Sequence, residues 1–141
     1  MDLGLQGRRA LVMGGTKGLG RSIADALAGE GAALVISGRD QGRLDEAAAQ
    51  LRSAGAAGAS GVVADVANGA EMDALAKAAV AAMGGVDILV LNHGGPPLCT
   101  ASEIKEAELV AWFQNIVVSP IRITNLLLPA MCVLGGVLLF E

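Results

Sequence analysis

A glycine-rich turn between an apolar run and a helical pattern constrains this chain more than any other feature. Residues 11–20 read Leu-Val-Met-Gly-Gly-Thr-Lys-Gly-Leu-Gly, so Gly14, Gly18 and Gly20 directly follow strand-forming residues. Gly14 lets the chain turn off the strand because glycine adopts positive φ at little cost. Gly18 removes a side chain where a phosphate must approach the backbone, and Gly20 lets the helix pack close to the strand. The helix start adds N–H groups and partial positive charge, which favour an anion. A plain turn is the alternative.

Short apolar runs alternate with helical patterns along the rest of the chain. The predicted strands are 9–13, 33–37, 61–64, 86–91 and 136–140, and the predicted helices are about 21–31, 41–54, 68–83 and 106–131. Pro120 should kink the last helix by removing one backbone hydrogen bond. This alternation predicts parallel β-α-β units with right-handed crossovers. We therefore expect one α/β domain over 1–141, a Rossmann-type doubly wound parallel sheet in the order 3-2-1-4-5, truncated after the fifth strand.

Composition excludes several classes of partner. The chain has 141 residues, of which 53% are hydrophobic and 2% aromatic, so we expect a core of Ala, Val, Leu and Ile. The net charge of −4 without a basic cluster argues against nucleic acid or an anionic membrane surface. One histidine makes a His-based metal site improbable, so we predict no metal. Cys99 and Cys132 are interpreted as reduced core cysteines.

The most apolar stretch lies toward the C-terminus. Arg122, Asn125 and Pro129 interrupt it, so we do not interpret it as a membrane span. The chain opens without a signal-peptide pattern. Together these features predict a soluble, cytoplasmic protein.

Two cations stand where a dinucleotide site selects its ribose. An acidic selector is expected at the end of the second strand, about 18 positions beyond Gly20, yet the chain has Gly38 and Arg39 there. A carboxylate would repel a 2′-phosphate, whereas an arginine binds one. Lys17 adds a second cation, so NADP is favoured and NAD is less expected. Asp40 is interpreted as a helix cap. The alternative is that Lys17 and Arg39 are ordinary solvated charges.

Further polar residues follow the third and fourth strands, where ligands bind in open α/β sheets. Asp65 is suited to accept a hydrogen bond from an adenine amino group while Val66 packs on the ring, but a turn that starts the next helix explains the pair equally well. The fourth strand is followed by Asn92, His93, Gly94 and Gly95. Asn92 is suited to tie this turn to its neighbours. His93 has no partner in the sequence that would orient it for acid–base chemistry.

These motifs resemble the short-chain dehydrogenase/reductase family, and the Asn92–Pro96 segment resembles its 3-oxoacyl-carrier-protein reductase-like members. The family motif after the fourth strand usually reads Asn-Asn-Ala-Gly, so His93 and Gly94 are departures. The resemblance implies an oxidoreductase acting on a carbonyl or secondary alcohol. It also implies a catalytic role for Asn115, which in the family helps hold a water in a proton relay; a core amide would look the same. The expected cofactor-binding residues are Gly14, Thr16, Lys17, Gly18, Leu19, Gly20, Arg39, Asp65, Val66, Asn92 and Gly94.

The resemblance implies four catalytic residues, and this sequence lacks three of them. The family uses a tyrosine, a lysine one turn later and a serine after the fifth strand, but this sequence has no tyrosine. Its lysines are Lys17, Lys77 and Lys105. We expect the chain as written to be inactive, either as the cofactor-binding portion of a reductase or as a non-catalytic nucleotide-binding or interaction module. A different enzyme on a Rossmann-like scaffold would need its own nucleophile or base, for which the sequence offers His93, Asp65 and the two cysteines.

The family resemblance also implies a partner surface. In that family the long helix usually packs against a second subunit, so a homo-oligomer through the helix around Asn115 is expected. The side chains expected to form an apolar surface in the absence of that partner are Val117, Val118, Ile121, Leu126 and Leu127. The fifth strand is expected to form an uncovered apolar edge. Low solubility or aggregation is predicted.

Overall fold

Five parallel strands form one sheet with helices on both faces. The computed structural model describes residues 2–134 and 137–140. The strands are β1 (Arg9–Val12), β2 (Ala33–Gly38), β3 (Gly58–Val63), β4 (Ile88–Leu91) and β5 (Val137–Phe140). Their order is β3-β2-β1-β4-β5, which confirms the predicted order. Every pairing is parallel.

Helices connect successive strands. They are α1 (Gly18–Gly29), α2 (Gln41–Ser53), α3 (Gly69–Met83), α4 (Glu106–Phe113) and α5 (Ser119–Leu134), and a π-helical turn over Gln114–Val118 joins the last two. Asp40 caps α2 as predicted, because its side chain accepts from the Arg43 N–H at 2.9 Å. Asn68 likewise caps α3.

Alternating strand residues build a core on each face of the sheet. Leu11, Val35 and Leu89 point toward α3 and α5. Leu34, Ile36 and Val90 point toward α1 and α2. Successive side chains of a strand point to opposite faces of the sheet, and both faces are buried. Parallel sheets that lie between two layers of helices have this arrangement.

Some predicted boundaries were wrong. β3 begins at Gly58 rather than 61, because it pairs with β2 over the whole of that strand. Its small residues conceal this pairing in the sequence, yet they allow α2 to approach: a Cβ on Gly61 would lie 2.6 Å from the Leu44 Cβ. α1 begins at Gly18, three residues before the predicted start, so the end of the glycine turn is already helical. β1 ends one residue earlier than predicted, at Val12, and β4 begins two residues later, at Ile88. The predicted start of the fifth strand at 136 lies outside the described residues.

Pro120 is accommodated without ending the helix. The helical run continues through it, and the π turn ends two residues before it, at Val118. A proline ring clashes with the carbonyl four residues back, and widening the preceding turn relieves that clash. The predicted effect of Pro120 on backbone bonding therefore takes the form of a π turn.

Three apolar or cysteine side chains do not lie where the sequence predicts them. Cys99 and Cys132 are exposed, not buried in the core. The former lies in a loop and the latter on the outer side of α5, next to the buried Met131. Leu127 is 4% exposed and packs in the core, so it does not contribute to the predicted apolar surface.

The helical run Glu106–Val133 is long and apolar enough to cross a membrane by length and composition alone. Ile123, Leu127 and Met131 on one of its faces pack in the core with residues of α3 and β4. Core helices of soluble proteins meet the same criterion, so this property is weak support for a membrane span.

Candidate functional site

A cleft of about 680 Å³ lies at the carboxyl edge of the sheet. β1 and β4 are neighbours there, and their connections leave toward opposite faces, so this is the switch point where open α/β sheets bind ligands. The residues lining it are Gly14, Thr16, Lys17, Gly18, Leu19, Ser37, Gly38, Arg39, Asp40, Arg43, Ala64, Asp65, Val66, Asn92, His93, Gly94, Gly95, Trp112 and Asn115. Of the predicted site residues, Gly20 alone is not among them.

The glycine turn forms one wall of the cleft. Gly14 and Gly18 have φ values of +62° and +58°, the left-handed region that glycine tolerates. A Cβ on Gly18 would meet nothing within 4 Å, so this backbone borders open space. Lys17 precedes α1 without a side-chain cap, and the first turn of α1 has no acidic residue. The N-terminus of α1 therefore retains N–H groups and positive potential for an anion.

Asn92 fastens this turn to the end of β4. Its Nδ2 donates to the Met13 carbonyl at 3.1 Å and to the Gly14 carbonyl at 3.4 Å. Gly20 lies directly behind, where a Cβ would fall 2.3 Å from the Asn92 Nδ2. Gly20 thus supports the cleft from beneath by close packing, which is the role its position predicted.

Lys17 and Arg39 both line the same cleft, and both are exposed. The glycine turn and the end of β2 are joined by a hydrogen bond from the Gly15 N–H to the Ser37 carbonyl at 3.0 Å. Asp40 also lines the cleft while capping α2. Arg43 also lines the cleft, and it was not predicted from the sequence, although its position in the first turn of α2 was a usable signal.

The Asp65–Val66 pair forms a helix-start turn and also lines the cleft. The Asp65 Oδ1 accepts from the Ala67 N–H at 2.9 Å, and the Asp65 N–H donates to Glu71 at 2.7 Å. The Ser119 hydroxyl, which is fully buried, donates to the Val66 carbonyl. The two interpretations of Asp65 left open by the sequence are therefore compatible. Ser119 was missed because its partner lies 53 positions away.

Asn115 lies in the π turn, is half-buried and lines the cleft together with Trp112. The Ser119 N–H donates to the Gln114 carbonyl, one residue further back than in an α-helix. Pro120 has no N–H to offer. The Asn115 carbonyl consequently has no helical partner at either the α or the π position.

His93 lines the cleft without an acidic partner among the described residues. Its Nδ1 lies 3.3 Å from the carbonyl of the adjacent Gly94, which is a local contact. No group of three or more potential metal ligands occurs in the part of the chain that the structure describes. The site therefore presents cations, backbone N–H groups, amides and the two carboxylates of Asp40 and Asp65.

The family model of short-chain dehydrogenases matches residues 8–137. The chain belongs to the short-chain dehydrogenase/reductase family. An uncharacterized oxidoreductase of Staphylococcus saprophyticus is 34% identical over 130 residues, which cover 90% of this chain and 54% of that protein. Human dehydrogenase/reductase SDR family member 2, mitochondrial, is 38% identical over 130 residues, covering 90% and 45%.

Solved members of the short-chain dehydrogenase/reductase family share the fold. L-sorbose reductase from Gluconobacter frateurii, complexed with NADPH and L-sorbose, superposes with a TM-score of 0.92 at 32% identity. That match covers 99% of this chain and 54% of the reductase. The chain spans from 31% to 54% of the length of the curated relatives it matches.

Proposed function

We propose that this chain is the NADP(H)-binding portion of a short-chain dehydrogenase/reductase-type oxidoreductase acting on a carbonyl or secondary alcohol. The observation that supports this most is the convergence of the glycine turn, two cations and the Asn92 turn on one cleft at the switch point of the sheet. The L-sorbose reductase complexed with NADPH supports the same cofactor. The 3-oxoacyl-carrier-protein reductase-like subtype rests on the Asn92–Pro96 segment and stays a proposal.

The residues present fit such a dinucleotide. Gly18 suits the pyrophosphate because any side chain at this position would fill the cleft. The uncapped start of α1 suits it because the free N–H groups of a helix start favour anions. Lys17 and Arg39 suit a 2′-phosphate. Asp65 and Val66 suit the adenine. The remaining lining residues proposed to contact the dinucleotide are Thr16, Leu19, Asn92 and Gly94. When bound, the reduced nicotinamide supplies a hydride.

We further propose that this chain alone does not catalyse the family reaction. Its sequence contains no tyrosine to protonate the substrate oxygen. General acid catalysis contributes about 10²–10⁴-fold to such reactions. Asn115 is the single proposed catalytic residue that it retains. An NADPH-oxidation assay with a panel of ketones and aldehydes should show no turnover above the protein-free rate.

A non-catalytic nucleotide-binding or interaction module is the second candidate, favoured by the same missing tyrosine. It would use the exposed apolar face of the long helix, which includes Phe113 at 60% and Ile121 at 52% exposure. We propose a homo-oligomer through this face. Mixing the chain with a full-length relative and testing for hetero-oligomers separates this candidate from a simple cofactor-binding portion.

Titration with NADPH and NADH tests the binding proposal. We expect a submillimolar Kd for NADPH and clear preference over NADH, because Lys17 and Arg39 attract the additional phosphate. Equal affinities would contradict the proposal that Lys17 and Arg39 select NADPH. Absence of binding would overturn the proposed function.

A further inference from the structure

Arg43 brings a third cation to the end of the cleft that holds Lys17 and Arg39. It is the third residue of α2, and it is exposed and one of the residues that line the cleft. Lys17, Arg39 and Arg43 take part in none of the ion pairs found among residues 2–134 and 137–140. Three cationic residues that form none of these ion pairs therefore line one end of the site.

The backbone holds these cations near one another. The Gly15 N–H donates to the Ser37 carbonyl at 3.0 Å, which joins the turn carrying Lys17 to the end of β2. A Cβ on Gly38 would lie 3.2 Å from the Thr16 Cγ2, so the two segments are in close packing at this point. The start of α2 follows directly after β2 and brings Arg43 to the same end.

Asp40 makes the third cation necessary. Its carboxylate lines the same end and accepts from the Arg43 N–H, so it occupies the α2 N-terminus and leaves less of that terminus for an anion. A phosphate monoester carries about −1.5 to −2 charges at pH 7. Lys17 and Arg39 offset by Asp40 leave a net charge of one positive unit, and Arg43 raises it to two. Arg43 thereby matches the charge of the phosphate despite the neighbouring carboxylate.

We propose that Arg43 is a specificity-determining residue that binds the 2′-phosphate of NADPH together with Lys17 and Arg39. This inference rests on the proposed function, because it specifies how that same site selects its cofactor. NADH lacks the phosphate, so Arg43 contributes to NADPH affinity and not to NADH affinity.

The test compares the Kd values for NADPH and NADH in the unmodified chain, Arg43→Gln, Arg43→Lys and a control, Arg8→Gln. Arg8 is exposed and directly precedes β1, at the opposite edge of the sheet, so its substitution changes the net charge equally. We expect Arg43→Gln to raise the NADPH Kd about tenfold, since charge-assisted hydrogen bonds are roughly twice as strong as neutral ones. The NADH Kd should stay within about twofold, because screened surface charges act weakly at a distance. Arg43→Lys should fall between, because lysine keeps the charge but loses the bidentate geometry.

Two different failures are distinguishable. If the unmodified chain prefers NADPH but Arg43→Gln behaves like Arg8→Gln, the role of Arg43 is wrong and the proposed function stands. The same holds if Arg43→Gln weakens both dinucleotides equally. If the unmodified chain binds neither dinucleotide, both proposals are wrong.

Discussion

At the scale of single residues, the cleft depends on the close contact between Gly20 and Asn92. A Cβ at position 20 would lie 2.5 Å from the Gly14 carbonyl oxygen as well as against Asn92. Gly20→Ala must therefore displace backbone, and we expect it to lower the free energy of unfolding by about 1–3 kcal/mol. Urea unfolding measures this change.

Gly29→Ala is the matched control for this substitution. Gly29 lies in the same helix, and a Cβ there would meet nothing within 4 Å. We expect it to be neutral or to stabilise the protein by up to about 1 kcal/mol, since alanine is the better helix former. Equal destabilisation by the two variants would contradict the close-packing role of Gly20.

The Arg9–Asp87 pair links β1 to the start of β4 at the other edge of the sheet. The Asp87 carboxylate accepts from the Arg9 backbone N–H, Nε and Nη2 at 2.9, 2.9 and 2.7 Å. The Arg9 side-chain hydrogen bonds, followed by its backbone N–H and its charge, hold the pKa of Asp87 below its ordinary value, although burial opposes them.

This lowered pKa makes the Asp87 contribution dependent on pH. A carboxyl whose pKa is lower in the folded state stabilises the protein above its unfolded pKa of about 3.9, and the contribution is lost as pH falls through the folded value. We expect Asp87→Asn to destabilise the chain by about 1.5–3 kcal/mol at pH 7, and the difference from the unmodified chain to shrink below about pH 4.

The exposed Arg21–Asp25 pair within α1 provides the control for Asp87. Its aspartate side chain is 46% exposed. Asp25→Asn should change the unfolding free energy by less than about 0.5 kcal/mol, because such i,i+4 surface pairs are weak. Unfolding curves for both variants at several pH values measure the difference. A gap for Asp87→Asn that stays constant down to pH 2 would contradict the assignment.

Residues whose role follows from local backbone conformation were easier to predict from the sequence than residues that act through contacts distant along the chain. Gly14 and Gly18 were predictable because a sharp turn after the strand requires positive φ, which both residues adopt. Ser119 was not, because its hydroxyl binds Val66 in another element. Arg43 was overlooked because a charged residue in a first helical turn is ordinarily solvated.

At the scale of elements, α5 fixes the turn between β3 and α3. The fully buried Ser119 hydroxyl donates to the Val66 carbonyl, and Arg122 forms two hydrogen bonds of 2.7 Å with Asp73 on α3. The Arg122 side chain passes over Gly69, where a Cβ would lie 2.9 Å from its Nη1. The long helix therefore positions one wall of the proposed adenine site.

Removing the buried hydroxyl tests this connection. Ser119→Ala leaves the Val66 carbonyl without its donor, so we expect a loss of about 1–3 kcal/mol in unfolding free energy. Ser53→Ala is the control, because the exposed Ser53 hydroxyl bonds to the Ala49 carbonyl within its own helix. Its effect should stay within about 0.5 kcal/mol. If Ser119→Ala and the unmodified chain had the same denaturant midpoint, the Ser119 contact would not stabilise the fold.

The form of the long helix was only partly predictable. Pro120 indicated a disturbed backbone, but a kink, a break and a π turn are all compatible with the loss of one N–H donor. Packing of Ile123 and Leu127 into the core keeps the helix continuous, and the π turn is the solution compatible with that packing. Local sequence cannot supply that information because the partners belong to other elements.

At the scale of the whole molecule, the order of the sheet follows from the alternation of apolar runs and helices. The right-handed crossover rule restricts the possible orders, and the glycine turn identifies β1 as the strand beside the switch point. The extent of β3 was less predictable, since Gly58–Val63 gains its strand conformation from pairing with β2 rather than from its own composition.

The outer face of the long helix should make this molecule self-associate. Its exposed large apolar side chains are Leu109, Val110, Phe113, Ile116, Val118, Ile121, Leu126, Leu128 and Val133. Large apolar side chains exposed in this number on one helix indicate an interaction surface or an aggregation site. We expect light scattering to report species larger than a monomer, and Phe113→Glu with Ile121→Glu to shift the distribution toward monomer.

Val80→Glu serves as the control for self-association. Val80 is 42% exposed on α3, outside this face. Val80→Glu should leave the distribution of oligomeric species unchanged. A stable, soluble monomer of the unmodified chain would contradict the prediction that this face associates.

The most direct test of the central claim is the ratio of the NADH and NADPH dissociation constants, measured for the unmodified chain and for Lys17→Gln with Arg39→Gln. We predict a ratio of at least about tenfold in favour of NADPH, since bidentate arginine–phosphate contacts add geometric as well as electrostatic selectivity. The double variant should lower this ratio by weakening NADPH binding alone. A chain that binds neither dinucleotide, or binds both equally before any substitution, would contradict the account.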